Sequence, residues 1–325
     1  MRVAGIDCGT NSIRLLVADV PGDHAPLRDV VRDMQVVRLG QGVDRTGEFS
    51  AEALKRTFAQ VERYAQQCRD HGVQSIRFAA TSAARDARNR DEFLAGVRSR
   101  MGVPAQILTG DEEARTSFTG AASVLGTGTP SPLIAVDLGG GSTEIVLGEV
   151  GGDVISDYSM NVGCVRMHER HLTSDPAAPE QVAAARADVN AALDEAERHV
   201  DLGRAAGLVG LAGTVTTLTA KALDLAKYDA AAIHGSVLAP QDVIKTCEWF
   251  ITSRRAERDA LGFMHPGRSD VMASGALVWE EVVKRVARRM RENGKELTGV
   301  ITSEHDILDG MALWAARVPQ RPDWV

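Results

Sequence analysis

Asp7-Cys-Gly-Thr-Asn-Ser12 stands between two apolar runs, Arg2-Val-Ala-Gly-Ile6 before it and Ile13-Arg-Leu-Leu-Val-Ala18 after it. The arrangement returns at Asp137-Leu-Gly-Gly-Gly-Ser142, between Leu133-Ile-Ala-Val136 and Glu144-Ile-Val-Leu147. Each reads as strand, Asp-x-Gly-x-x-Ser turn, strand. Small residues in such a turn let backbone N–H groups approach an anion, the hydroxyls add donors, and the aspartate can reach a metal ion. A single copy is more often a plain hairpin turn. Two copies in matching context predict a duplicated unit whose turns face each other across a cleft and handle phosphate.

The rest of the chain fits that plan. Its 325 residues suffice for two domains of ordinary size. No apolar run approaches the roughly 20 residues of a membrane span, and the N-terminus enters a strand with no signal-peptide pattern, so a cytoplasmic protein without membrane contact is expected. Cys8, Cys68, Cys164 and Cys247 are scattered and read as buried free thiols rather than a zinc or disulfide framework. His168-Glu-Arg-His171 lacks the spacing of a zinc helix. A net charge of −7 argues against a nucleic-acid partner. Two local basic runs remain, Lys284 to Lys295 through Arg285, Arg288, Arg289 and Arg291, and Arg254, Arg255 and Arg258. Each is either a solvated helix face or a track for a polyanion.

Residues 2–20 read as a hairpin followed by a turn at Pro21-Gly22-Asp23, and a third strand near Asp29–Leu39 ends at Gly40-Gln-Gly42. Ser50 caps a helix running to about Gly72, with Leu54, Phe58, Val61 and Ala65 at helical spacing. A strand at 75–80 leads into one helix from Thr81-Ser82 through Asn89 and Leu94. A strand at 106–108 precedes a helix from Gly110 towards Leu125. The Gly/Thr/Pro-rich segment 126–132 is the clearest linker. Beyond it, the spacing predicts helices over 176–200, 240–256, 269–293 and 304–317, and a strand at 208–212 entering Gly213-Thr214. Alternating strands and helices indicate α/β layers.

Five motifs in this order are similar to those of one family. Asp7-to-Ser12, Thr81-Ser-Ala-Ala-Arg85-Asp-Ala-Arg-Asn89, Thr109-Gly110-Asp-Glu-Glu113-Ala-Arg115, Asp137-to-Glu144 and Gly213-Thr214 resemble the exopolyphosphatase/guanosine pentaphosphate phosphatase (Ppx/GppA) family over essentially the whole chain. Thr10 stands where many members have serine, which keeps the hydroxyl. The resemblance implies the actin-like ATPase superfamily fold, two ribonuclease-H-like domains facing an interdomain cleft. The domains are expected at 1–127 and 128–303, with a C-terminal helix in 304–325 packing back on the first. It also implies a homodimer, a Mg²⁺ cofactor, and a substrate that is inorganic polyphosphate or guanosine pentaphosphate. Longer members add C-terminal helical domains; without them, the chain resembles the short actinobacterial type, and a preference for short polyphosphate is expected.

Hydrolysis of a terminal phosphoanhydride needs neutralised charge, an oriented water and in-line geometry. The cradles expected are the backbone amides of Gly139, Gly140, Gly141 and Ser142, the Thr10, Asn11 and Ser12 turn, and the helix start at Gly213-Thr214. Asp137, Glu144 and Asp7 resemble the family's magnesium acids, although an exposed strand glutamate in an ordinary ion pair is the bland reading of Glu144. The internal alignment sets Arg14 against Glu144, one for phosphate and one for metal. Arg85 matches the family's phosphate-contacting arginine, and arginine early in a helix opposes the dipole, which favours a bound anion. Asp111, Glu112 and Glu113 are all acids suited to a first helical turn; residue pattern alone does not choose among them, and the family register selects Glu113 as general base.

The leading reading is an exopolyphosphatase. Guanosine pentaphosphate 5'-phosphohydrolase uses the same chemistry, and no guanine pocket is legible in the sequence. An actin-like ATPase or sugar kinase would carry a fuller Gly-rich motif than Gly213-Thr214. A non-catalytic regulator binding alarmone or polyphosphate is the remaining alternative, and an intact Glu113 argues against it.

Overall fold

The computed structural model describes residues 1–21, 27–126 and 128–324. The expected turn at 21–23 reaches residues 22 and 23, and the expected linker includes Thr127; these positions lie outside the described residues. The chain forms two compact units, Met1–Val124 with Asp306–Val325, and Leu125–His305.

Unit 1 begins with β1 (Arg2–Cys8), β2 (Ser12–Asp19) and β3 (Arg28–Val36), a meander in which each strand pairs antiparallel with the next. After α1 (Val43–Thr46) and α2 (Ala51–Asp70), β4 (Ser75–Ala80) joins β1 in parallel. Then come α3 (Ser82–Asp86), α4 (Arg90–Met101), β5 (Ala105–Ile107) and α5 (Gly110–Ala122). The strand order is β3-β2-β1-β4-β5. β1 and β4 are buried along almost their whole length, which is why they read as continuous apolar runs without alternation. The Ser50 hydroxyl caps α2 by accepting from the Ala53 amide at 3.2 Å. The single helix expected from Thr81 to Leu94 is instead two, α3 and α4. Asn89 interrupts it, because its side-chain amide accepts from Phe49 N–H (2.8 Å) and donates to Phe49 C=O (3.0 Å). Tying the chain to the irregular segment at Phe49 wins over continuing a helix through a weak helix former.

Unit 2 repeats the scheme. β6 (Leu133–Leu138), β7 (Thr143–Gly148) and β8 (Val154–Met160) form an antiparallel meander. They are followed by α6 (Cys164–Arg170), α7 (Pro179–Ala196), a short 3₁₀ turn (Leu202–Arg204) and β9 (Gly207–Leu211), parallel to β6. Next come α8 (Ala212–Ala222), α9 (Ala230–Ile233), β10 (Val237–Leu238), α10 (Pro240–Thr252), α11 (Arg255–Asp259), α12 (Met272–Glu292) and β11 (Val300–Thr302). The sheet order is β10-β11-β9-β6-β7-β8. Without the short edge strand β10, it is the unit 1 order over again. This 3-2-1-4-5 order in both units is the ribonuclease-H-like fold expected. The sequence reading missed β8, β10 and β11, and also α1, α6, α9 and α11, short elements whose local pattern carries little signal.

The last helix, α13 (Ile307–Arg317), belongs to unit 1. Ile307, Leu308, Met311, Ala312 and Ala315 are buried on β1, β2, β4 and α5. Trp314 is half-buried, with the Arg77 guanidinium 3.2 Å over its ring. Asp306 caps this helix, accepting from Leu308 N–H at 3.0 Å. No helix among the described residues is long and apolar enough to cross a membrane.

Candidate active site

In unit 1, the turn between β1 and β2 closes on itself: Gly9 N–H donates to Ser12 C=O at 2.9 Å. The carbonyls at its tip are then taken from outside. Gly40 N–H donates to Thr10 C=O (2.8 Å), and Val37 and Arg38 N–H donate to Asn11 C=O (3.1 and 2.8 Å). A Cβ on Gly40 would lie 2.4 Å from Thr10 Cγ2, so this approach needs glycine. Arg38 adopts a left-handed φ of 51°, a conformation costly for a side-chain-bearing residue and concentrated at functional turns. The Thr10 hydroxyl oxygen is buried with no hydrogen-bond partner among the described residues. An unused buried donor of this kind calls for an explanation, and a bound anion supplies one.

Arg14, expected to contact phosphate, lies among carboxylates. It sits opposite Asp7 in the β1–β2 register, donates to Asp7 Oδ2 (2.7 Å from Nη2, 3.0 Å from Nε) and pairs with Asp306. It joins two buried carboxylates within unit 1. Asp7, expected as a metal ligand, has that oxygen committed to Arg14. Burial pushes the Asp7 carboxyl up, against the pull of Arg14. Arg14 thus holds Asp7 through Oδ2, while Asp7 Oδ1 is buried with no hydrogen-bond partner among the described residues.

The three acids at the start of α5 separate cleanly. Glu112 closes a capping box: its carboxylate accepts from Thr109 N–H (2.9 Å) while the Thr109 hydroxyl accepts from Glu112 N–H (3.2 Å). Asp111 is exposed. Glu113 alone is buried, 7% exposed. Its carboxylate accepts from Arg85 Nη1 at 2.6 Å, and the same nitrogen donates to Leu108 C=O at 2.9 Å. Thus α3 and α5 bring the expected base and the expected phosphate arginine into one ion pair.

In unit 2, the turn between β6 and β7 is built alike. Gly139 N–H donates to Ser142 C=O at 3.0 Å, so the Gly139 amide closes the turn and drops out of the expected cradle. The following carbonyls are held by the start of α6. Cys164 N–H donates to Gly139 C=O (3.0 Å), and Val165 and Arg166 N–H donate to Gly140 C=O (2.8 and 3.1 Å). Arg166 Nε donates to Gly141 C=O at 2.7 Å. In a planar trans peptide, each C=O is antiparallel to the next N–H. With three successive carbonyls drawn towards α6, the N–H groups of Gly140, Gly141 and Ser142 face the opposite side together. Such an arrangement of amides is suited to an anion.

Asp137 and Glu144 are direct cross-strand partners of β6 and β7, which puts both side chains on one sheet face. They are 7% and 1% exposed, and Ser159 Oγ donates to Glu144 Oε1 at 2.6 Å. The exposed ion pair is thus not the role of Glu144. Among the described residues, no group of three or more His, Cys, Asp or Glu is placed to hold a metal ion. A pair of buried carboxylates nevertheless fits Mg²⁺, which ordinarily takes one or two protein carboxylates and fills its remaining positions with water and phosphate oxygens.

At the start of α8, Ala212 has φ 66° and Thr214 is buried. The Arg268 guanidinium lies directly over Gly213, since a Cβ there would sit 1.2 Å from its Nη1. Arg268 also lies near enough to Cys164 to offset part of the upward push that burial gives that thiol. Sequence reasoning missed Arg268 and Arg166. Both sit in segments without periodic signal, and only the glycine facing Arg268 hinted at a close neighbour. All four cysteines are buried free thiols, and His171 Nε2 is 2.9 Å from Asp188.

Several members of the basic runs are paired or buried, while Arg254, Arg255, Arg288 and Arg291 are exposed. On α12, Lys284 pairs with Glu280 (2.5 Å), Arg285 with Asp194 and Glu197 (2.7 and 2.9 Å), and Arg289 with Glu197 and Glu292 (2.5 and 2.7 Å). Lys295 donates to the carbonyls of Arg204 and Ala205. Arg258 is buried, donating to the carbonyls of Ser253 and Ser269 at 2.6 and 2.8 Å.

Two sheets of one order, each carrying an Asp-x-Gly-x-x-Ser turn with clamped carbonyls, define an α/β protein of the phosphate-binding class. The chain belongs to the Ppx/GppA phosphatase family, whose model matches residues 16–294. It is 49% identical over 319 residues to Exopolyphosphatase 2 of Mycobacterium tuberculosis, covering 96% of this chain and 98% of that one. The solved structure of an exopolyphosphatase-like protein superposes with a TM-score of 0.94 at 43% identity, over 98% of this chain and 100% of that one. A crystal structure of the Aquifex aeolicus family member superposes with a TM-score of 0.77 at 25% identity, over 98% of both chains.

Proposed function

We propose that this protein is an exopolyphosphatase that releases orthophosphate from the end of inorganic polyphosphate, preferring short chains. The observation that carries the reading is the Gly140–Ser142 cradle, whose amides are turned to one side by three clamped carbonyls. Within unit 2, that cradle, the start of α8 at Gly213 and Thr214, and Arg268 are the groups suited to phosphate. Within unit 1, they are Thr10, Asn11, Ser12 and Arg85, with Glu113 as the base. Glu113 takes a proton from water as the water oxygen bonds to the terminal phosphorus. The bridging P–O bond breaks, and orthophosphate leaves from a chain one unit shorter. Arg85 holds the Glu113 carboxylate in place. Asp137 and Glu144 would hold Mg²⁺, which when bound neutralises phosphate charge.

The pairing of Lys284, Arg285 and Arg289 with carboxylates supports the preference for short chains, because it reduces the positive charge that α12 offers a long polymer. Phosphate release with Mg²⁺ from tripolyphosphate, long polyphosphate and guanosine pentaphosphate, run in parallel, tests the reading. Fastest release from tripolyphosphate is expected. Faster release from guanosine pentaphosphate would make the protein a guanosine pentaphosphate phosphohydrolase, and release from none would leave a binding regulator.

Two further results are expected. Asp137→Asn and Glu144→Gln should each raise the Mg²⁺ concentration needed for half-maximal activity, roughly tenfold or more, because losing or reorienting one ligand of a two-carboxylate site costs that much affinity. An unchanged magnesium titration in both variants removes these acids from the metal site. Gly213→Ala should leave the melting temperature near that of the unsubstituted protein, since the obstructing atoms are the far end of the Arg268 side chain. By displacing a charged donor, it should raise KM for tripolyphosphate roughly ten- to a hundredfold. An unaltered KM would separate Arg268 from substrate binding.

A further inference from the structure

We infer that Arg166 is a positioning residue for this hydrolysis: through the Gly141 carbonyl, it fixes the Gly141–Ser142 peptide so that the Ser142 amide is presented to the substrate's phosphate. The inference rests on the phosphate-cradle reading above. Of the three turn carbonyls clamped by α6, two are held by backbone N–H groups, which every residue type supplies except proline. Gly141 C=O is held by a side chain, Arg166 Nε at 2.7 Å. Its orientation therefore depends on which residue stands at 166.

The equivalent turn in unit 1 shows what that clamp replaces. Asn11 occupies the place of Gly141 in the internal alignment, and its carbonyl accepts from two backbone amides, Val37 and Arg38. In unit 2, no backbone N–H among the described residues reaches Gly141 C=O; one guanidinium N–H serves instead. The clamp also matters more in unit 2. Asn11 carries a side chain that restricts its backbone, whereas Gly139, Gly140 and Gly141 leave theirs nearly unrestricted. A peptide after glycine can turn over at little cost, and turning Gly141–Ser142 over would replace a donor with a carbonyl lone pair facing phosphate. Arg166 lies in the first turn of α6, whose amides are already tied to the same loop. Its Cα is therefore set at a fixed distance from the carbonyl it holds.

Arg166→Gln and Arg166→Met separate this role from a direct charge contact. Glutamine places Nε2–H₂ at the chain position of the arginine Nε, without charge; methionine fills similar length with no donor. Steady-state kinetics on tripolyphosphate should show KM raised roughly ten- to a hundredfold in Arg166→Met and held within about threefold in Arg166→Gln. Melting temperatures should be alike. Equal impairment in both variants would assign Arg166 to charge and overturn the inference, as would an unimpaired Arg166→Met, or a loss fully accounted for by unfolded protein. Calorimetric titration of tripolyphosphate into all three proteins in the absence of turnover gives a second readout. If the unsubstituted protein hydrolyses nothing, the proposed activity falls. The clamp is then decided by affinity, with equal Kd values for Arg166→Met and the unsubstituted protein sinking it.

Discussion

Glu113→Gln is expected to lower kcat on tripolyphosphate by about 10²- to 10⁴-fold, the usual contribution of a positioned general base, while KM stays within about threefold because substrate contacts are untouched. Glutamine keeps an oxygen that can accept from Arg85 Nη1, so the local structure survives while the basic site is lost. The neighbouring acids supply controls. Asp111→Asn touches an exposed side chain and should change nothing. Glu112→Ala removes half of the capping box and should cost about 0.5–2 kcal/mol of stability, with turnover per folded molecule unchanged. A Glu113→Gln enzyme of undiminished kcat would exclude the residue as base. An inactive Glu112→Ala enzyme that melts normally would point to the wrong glutamate.

These three acids show how much of the site is legible in sequence. All three suit a first helical turn, and residue pattern left them equivalent. What separates them is burial and partner: Glu112 turns back to the Thr109 amide, Asp111 faces outward, and Glu113 meets Arg85 from a helix 28 positions earlier. The two Asp-x-Gly-x-x-Ser turns were legible because glycine and small hydroxyl residues mark local backbone geometry directly. The Ser50 cap and the buried strands were legible for the same reason. The ion pairs of Arg14 were not legible, because the duplication suggested only an equivalence with Glu144. The register does place them alike, but Asp306, nearly three hundred residues away, completes an ion pair that only the fold reveals. The basic run on α12 was ambiguous because its acidic partners Asp194 and Glu197 lie at the end of α7. Local composition records which charges exist and leaves their pairing to topology.

Gly163→Ala is expected to combine a stability loss of about 1–3 kcal/mol, the usual cost of forcing an extra methyl into packed surroundings, with a fall in kcat/KM of roughly 10²-fold, the effect of moving a positioned group by about 1 Å. Backbone strain is not the cause. Gly163 has φ −160°, an extended conformation open to any residue. The cause is what a Cβ would meet: Gly140 C and O at 2.6 Å and Gly141 C at 2.8 Å. These are backbone atoms of the cradle, and no rotamer change can clear them. Either α6 retreats and releases the Gly139 and Gly140 carbonyls, or the turn itself shifts. Gly40→Ala, the matching substitution in unit 1, meets chiefly the Thr10 side chain, Cγ2 at 2.4 Å and Cβ at 3.2 Å, with Ala83 Cβ at 3.0 Å. Rotation of Thr10 can relieve part of that clash, so Gly40→Ala should be the milder of the two in both melting temperature and kcat/KM. Thermal melting and tripolyphosphate kinetics on the pair provide the check. If Gly163→Ala melts and turns over like the unsubstituted protein, close packing of α6 on the turn carbonyls is not what presents the amides of Gly140, Gly141 and Ser142.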